Sequence, residues 1–242
     1  MNFYQQETIM DLNILSAGAA KGLVTSLQES FAAGNGAGAG IQGSFGAVGA
    51  IHEKMLAGGP CDVIILTAAL IDELIESGLV RAGSSVPLGR VRTGIAVRGG
   101  APLPDISNRA ALAKSLQAAK EIYIPDPVRS TAGIHFANIL RQLGIHAEVE
   151  PRLRAFPNGA TAMAALAQTA ASPAIGCTQL TEIKYTDGVA LVGPLPKEFE
   201  LATVYSVAIC TRAAQPEIAQ RLVDLLSGPQ SAALRSAGGF EL

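Results

Sequence analysis

Leu12-Asn13-Ile14-Leu15-Ser16-Ala17-Gly18-Ala19-Ala20-Lys21-Gly22 decides the fold. A short apolar run leads through a turn of small residues into Lys21 to Ala33, where Leu23, Val24, Leu27 and Phe31 recur at helical spacing. Strand, tight turn and helix in that order are the unit from which α/β sheets are built. A helix start carries four backbone N–H groups without intrahelical partners and about half a unit of positive charge, so a start made of small residues attracts an anion. The same arrangement returns at Gly43 to Gly49 around Ser44, at Ser130-Thr131-Ala132-Gly133 after Ile122 to Ile124, and at Pro157-Asn158-Gly159 before a helical run. Several such starts aimed at one cleft predict a protein that holds a small anion.

Working outward, a short strand near Ile41 leads to a helix from Val48 to Ala57, stopped by Gly58-Gly59-Pro60. Asp62 to Leu66 reads as a buried strand, and Ala69 to Ser77 as a helix closed by Gly78. The first 80 or so residues are therefore strand-helix units, which predict a parallel sheet with right-handed crossovers. Arg90 to Arg98 is a longer strand, followed by a helix over Arg109 to Ala119. A second set of units follows: strand Ile122 to Ile124, helix Gly133 to Leu143, strand His146 to Glu150, helix Ala160 to Thr169, and strand Ala174 to Cys177 with Thr178 to Ile183 after it. Thr203 to Cys210 is another long strand, before a last helix from Pro216 to Leu226. If the two long strands cross between lobes, one lobe holds residues 10–92 with 204–242 and the other 93–203. The cleft then lies between them, at the carboxyl ends of strands.

Composition agrees. The chain has 242 residues, a net charge of -2, 49% apolar residues and no tryptophan. Without a basic block or an aromatic surface, nucleic acid is not the expected partner. The three cysteines are scattered and lack metal-ligand spacing, so neither a disulfide framework nor a metal site is expected, and nothing calls for a cofactor. No apolar run reaches the roughly 20 residues that span a bilayer, so no membrane insertion is expected. Met1 to Glu7 has no basic or apolar leader character, which places the chain in the cytoplasm as written, or in the periplasm if a leader was removed.

Leu12 to Gly22, Phe45-Gly46-Ala47-Val48-Gly49-Ala50 and Gly58 to Val63 together resemble the molybdate-binding protein family, type II periplasmic solute-binding proteins. The likeness continues through Gly94 to Pro102, Asp126 to Ala137, Leu191 to Pro196 and Leu225 to Ala233. It implies an α/β Venus-flytrap protein of two lobes, whose cleft binds an oxyanion through backbone amides and hydroxyls, with an ABC-transporter permease as partner. Where the family places an oxyanion-binding serine at the first helix start, this chain has Ala19, with Ser16 three residues earlier. The family's second hydroxyl position matches Ala47, leaving Ser44 nearest, and its cleft tyrosine matches Cys177. The third contact falls on Ala132 and the fourth near Gly159, both able to act through backbone N–H. This branch also resembles aconitate isomerase, which adds isomerisation of a small unsaturated carboxylate as an alternative activity.

The expected ligand contacts are Ser16, Gly18, Ala19, Ser44, Ala47, Arg129, Ser130, Thr131, Ala132, Asn158, Gly159, Cys177, Thr178 and Gln179. Arg129 beside a helix start suits a carboxylate, which a guanidinium pairs bidentately, better than a neutral-donor oxometalate site. Each residue has a plainer reading. Ser44 and Asn158 could bond their own turns, Arg129 could be solvated beside a cap, and Cys177 could be an inert buried thiol. Glu182 and His135 are the candidates for proton transfer. Against them stand a surface carboxylate on a helix and a packed histidine held neutral by its helix dipole. Arg90, Arg92 and Arg98 share one strand face and read as solvated charges.

Overall fold

A computed structural model describes residues 11–35 and 40–242. The leader reading at Met1 to Glu7, the first residue of the expected first lobe and most of the turn before Ile41 lie outside the described residues. The first half runs β1 (Leu12–Ala17), a 3-10 turn at Gly18–Ala20, α1 (Lys21–Asn35), β2 (Ile41–Gly46), α2 (Val48–Leu56), β3 (Val63–Thr67) and α3 (Ala68–Glu76). Then come β4 (Val86–Arg98), α4 (Arg109–Ala118), β5 (Glu121–Pro125), α5 (Thr131–Gln142), α6 (His146–Val149), β6 (Leu153–Phe156) and α7 (Gly159–Gln168). The chain closes with β7 (Ala174–Gln179), α8 (Leu180–Tyr185), β8 (Val189–Pro194), β9 (Ala202–Ile209), α9 (Pro216–Ser227) and α10 (Ala232–Gly238).

The strands form one curled mixed sheet in the order β2-β1-β3-β9-β4-β7-β5-β6, with β8 also on β4. β2, β1 and β3 are mutually parallel, as are β6, β5 and β7, while β9, β4 and β8 join them antiparallel. β4 connects the two halves. Val86 to Arg92 pairs with β9, and Thr93 onward pairs with β7, with β8 joining from Gly94. Core membership changes at the same place: Leu88 and Val91 pack with the β1, β3, β9 and α9 residues, whereas Ile95 and Ala96 pack into clusters on the other half. The last helices return to the first core through Leu222, Val223, Leu226 and Phe240.

Three expectations change. His146 to Glu150 is a helical turn, and the strand lies later, at β6. Ile145 and Val149 are both buried four residues apart, the spacing of one helix face, although the intervening polar residues mimic alternation. No element was expected between Ile183 and Thr203, yet the half-buried residues of β8 pair there with β4 along Val189 to Pro194. Arg90 and Arg92 are not simply solvated, since both grip Glu241, at 2.7 and 2.6 Å. Among the described residues no helix is long and apolar enough to cross a membrane.

Candidate functional site

Parallel strands present their carboxyl ends together, and here each end runs straight into a helix. β1 ends at Ala17 before the Gly18 turn, β2 leads to α2 through Ala47, β5 to α5 through Ser130, β6 to α7 through Asn158, and β7 to α8 through Gln179. Ala17, Ala47, Ser130 and Gln179 make no side-chain cap on the first N–H groups that follow them. These ends meet around a cavity of about 10 Å³. Gly18, Ala19 and Ala47 line it from the first half, and Ser130, Thr131, Ala132, Gly159 and Gln179 from the second. The halves touch directly beside it, where Gly49 N donates to Arg129 O at 2.9 Å.

At the centre lies Glu182. It is 6% exposed, not the surface carboxylate that its place on a helix suggested. Thr178 Oγ1 donates to its Oε2 at 2.5 Å, and the backbone N–H groups of Ala160, Gln179 and Gly159 donate as well. The Gln179 bond is half of a capping box, in which the third residue of a helix reaches back to the N-cap amide. The Gly159 and Ala160 bonds go beyond capping, because they come from the start of a different helix. Burial pushes the Glu182 carboxyl above its ordinary range, opposed by these four hydrogen bonds, Thr178 first. At both neighbouring glycines a side chain would force Glu182 to shift. A Cβ at Gly18 would stand 2.5 Å from Glu182 Oε1, and one at Gly159 would overlap Glu182 Oε2 and Thr178 Oγ1.

Tyr205 of β9 closes the cavity, with its hydroxyl accepting from Gln179 Nε2 at 3.2 Å. Burial and then the Glu182 charge push its phenol upward, opposed by hydrogen bonds with Thr131 and Gln179. A groove of about 240 Å³ adjoins the cavity at Gly18 and the start of α7, and Lys21 lines it.

Other expected contacts lie elsewhere. Arg129 is turned outward by the Asp126 turn, whose Oδ1 accepts from Val128 N and Arg129 N; its side chain is 54% exposed and 3.6 Å from Glu53. Ser44 Oγ accepts from Lys54 Nζ at 2.7 Å. Ser16 is fully buried and donates to Ala17 O. Asn158 caps α7 through Thr161 N, and it lines the groove rather than the cavity. Cys177 is buried in the second core, where desolvation raises its thiol pKa. His135 Nε2 lies 2.7 Å from Phe199 O, away from the cavity lining.

Sequence reasoning passed over Tyr205 and Lys21 as site residues. Lys21 did leave a signal: a cation opposes the dipole at a helix start, and so suits that place only if an anion is near.

A curated relative, the aconitate isomerase of a Pseudomonas species, is 33% identical over 187 residues, covering 76% of this chain and 68% of the relative. Two solved structures share the fold. The periplasmic molybdate-binding protein of Azotobacter vinelandii has a TM-score of 0.79 at 20% identity, over 96% of this chain and 99% of that one. The sulfate-binding protein SubI of Mycobacterium tuberculosis H37Rv has a TM-score of 0.72 at 18% identity, over 96% and 86%. The bacterial extracellular solute-binding protein family matches residues 12–241, nearly the whole described chain, and the protein belongs to that family.

Proposed function

We propose that the protein binds a small organic carboxylate in a cleft between two lobes, residues 10–92 with 204–242 and residues 93–203. One observation carries this reading: helix starts from both halves of the sheet converge on a single point, where they already hold a carboxylate, that of Glu182. Donors that suit one carboxylate suit another, and the groove lined by Lys21 gives the remainder of an organic acid room and a countercharge. The proposed contacts are the backbone N–H groups of Gly18, Ala19, Ala47, Thr131 and Ala132 with the Ser130 side chain, while Gly159 N and Thr178 Oγ1 stay on Glu182 and Gln179 Nε2 stays on Tyr205. Ligand binding would pull the lobes together about β4 and β9, because only the closed form joins both sets of donors. The family supports delivery to an ABC-transporter permease outside the cytoplasm.

The buried carboxyl favours a second reading, isomerisation of a small unsaturated carboxylate. Glu182 would take a proton from an acidic C–H and return it to another carbon, while amide dipoles stabilise the enolate-like charge. The relative that bears the isomerase name adds weight to it.

Thermal-shift and calorimetric titration with small di- and tricarboxylates, molybdate and sulfate test the first reading. Carboxylates should stabilise the fold, by about 2.7 kcal/mol at a hundred times Kd. If only oxometalates stabilise it, the carboxylate assignment is wrong. NMR of cis- and trans-aconitate incubated with the protein tests the second reading, and absence of interconversion from pH 5 to 9 removes it.

A further inference from the structure

Scattered through the sequence, two of the three cysteines meet in the first core. The ladder between β3 and β9 ends with Val63 opposite Ile209, and just past it Cys210 N donates to Asp62 O at 2.9 Å. Hydrogen bonds hold this junction in place: Asp62 N donates to Asn13 O at 2.8 Å, and the Asp62 carboxylate accepts from Asn13 N and Ala214 N. Within that frame Cys210 Sγ donates to Cys61 Sγ at 3.0 Å, and Cys61 Sγ donates to Val63 O at 3.3 Å. A disulfide needs sulfurs about 2.0 Å apart, so a shift of about 1 Å would join them. The cavity of about 350 Å³ that both cysteines line leaves room for it. Cys177 belongs to a different core cluster.

We propose that Cys61 and Cys210 form a structural disulfide when the chain folds in an oxidising medium, and that folding in a reducing one seals both as thiols. The partners are 149 residues apart in sequence, so the bond closes a loop that runs from β3 through β9. Cross-linking so long a loop restricts the unfolded chain, and it does so whatever ligand the cleft takes. Burial sets the timing. In the unfolded chain both thiols are accessible and of ordinary acidity. In the folded chain Cys61 is 8% and Cys210 1% exposed, and the hydrogen bond with Cys61 followed by burial pushes the Cys210 thiol upward. Glutathione disulfide serves as the oxidant. One cysteine thiolate attacks it, forming a mixed disulfide and releasing one glutathione; the other cysteine then attacks that protein sulfur and releases the second. The two hydrogens lost by the chain end on the two glutathione thiols.

The test starts from the full chain, unfolded and reduced in guanidinium, then diluted at pH 8 into glutathione with glutathione disulfide or into glutathione alone. Mass spectrometry after alkylation in denaturant counts the free thiols. Oxidative refolding should give a chain about 2 Da lighter, with a Cys61–Cys210 peptide link and Cys177 alone alkylated. The reduced control should keep all three thiols. The linked chain should melt roughly 4–16 °C above the reduced one, and Cys61→Ser should show no such rise between the two conditions. Three free thiols after oxidative refolding to the native circular-dichroism spectrum would overturn the proposal. So would a link through Cys177, or a linked chain that melts no higher or does not fold.

Discussion

Gly159→Ala probes the convergence with one methyl group. Gly159 is the first residue of α7, is buried, and has Glu182 Oε2 and Thr178 Oγ1 where a Cβ would stand. Forcing a methyl into a packed interior costs about 1–3 kcal/mol. Displacing the Glu182 carboxylate weakens hydrogen bonds to a charged acceptor, each contributing about 1.5–3 kcal/mol. Replacing glycine recovers about 0.4–1 kcal/mol of unfolded-chain entropy. The balance is a loss of about 2–4 kcal/mol, or roughly 5–10 °C in Tm for a chain of this size. Gly34 is the control, since it lies in α1 with nothing within 4 Å of a built Cβ, so Gly34→Ala should stabilise by about 0.5–1 kcal/mol. Urea denaturation of both variants measures the difference. In a Glu182→Ala background the Gly159→Ala penalty should shrink by about 1 kcal/mol or more, because one of the two overlapping groups is gone. Wild-type stability of Gly159→Ala, or an unchanged penalty in that background, would refute the placement of the carboxylate against α7.

Three further outcomes follow from particular contacts. Burial keeps Glu182 protonated to higher pH in the folded chain than in the unfolded one, so the folded state binds more protons above the ordinary value of 4.5 and stability falls as pH rises through that interval. Glu182→Gln should remove that decline, and parallel urea midpoints for the two proteins from pH 4 to 8 would contradict it. Arg129→Ala should change carboxylate affinity by less than about 0.5 kcal/mol, since the guanidinium is half exposed and beside Glu53; calorimetry showing a tenfold loss would bring it back to the ligand. Cys61 and Cys210 hold their sulfurs 3.0 Å apart. Both are buried, and the hydrogen bond with Cys61 followed by burial pushes the Cys210 thiol upward, so glutathione disulfide should leave both thiols reduced while the chain is folded. A loss of about 2 Da from the folded protein after that treatment would contradict it.

The fold was legible where a chemical grammar repeats. Leu12 to Gly22 shows strand, small-residue turn and helix, and the turns at Ala47, Thr131 and Gly159 lack the bulk that would block a helix start. The strand at β6 was misplaced because Ile145 and Val149 mimic alternation around charged neighbours, and half-buried β8 lacks a strong apolar run. The glycine and alanine turns that the structure gathers at the cavity could be named in advance, since backbone donors depend on small residues. Glu182 could not be placed in the same way. Its spacing from Gln179 announces a capping box, but the bonds from Gly159 and Ala160 come from a helix that starts some 20 residues earlier, and that depends on tertiary packing. Arg129 pointed the wrong way for a like reason, as the Asp126 turn sets its direction.

The central claim is that amides from both halves of the sheet serve one anion. The most direct measurement is a 15N-resolved NMR titration with L-malate, following the amides of Gly18, Ala47, Thr131, Ala132, Gly159 and Ala160. The account predicts that all six shift together and saturate with one Kd; shifts confined to one half of the molecule, or none at all, would contradict it.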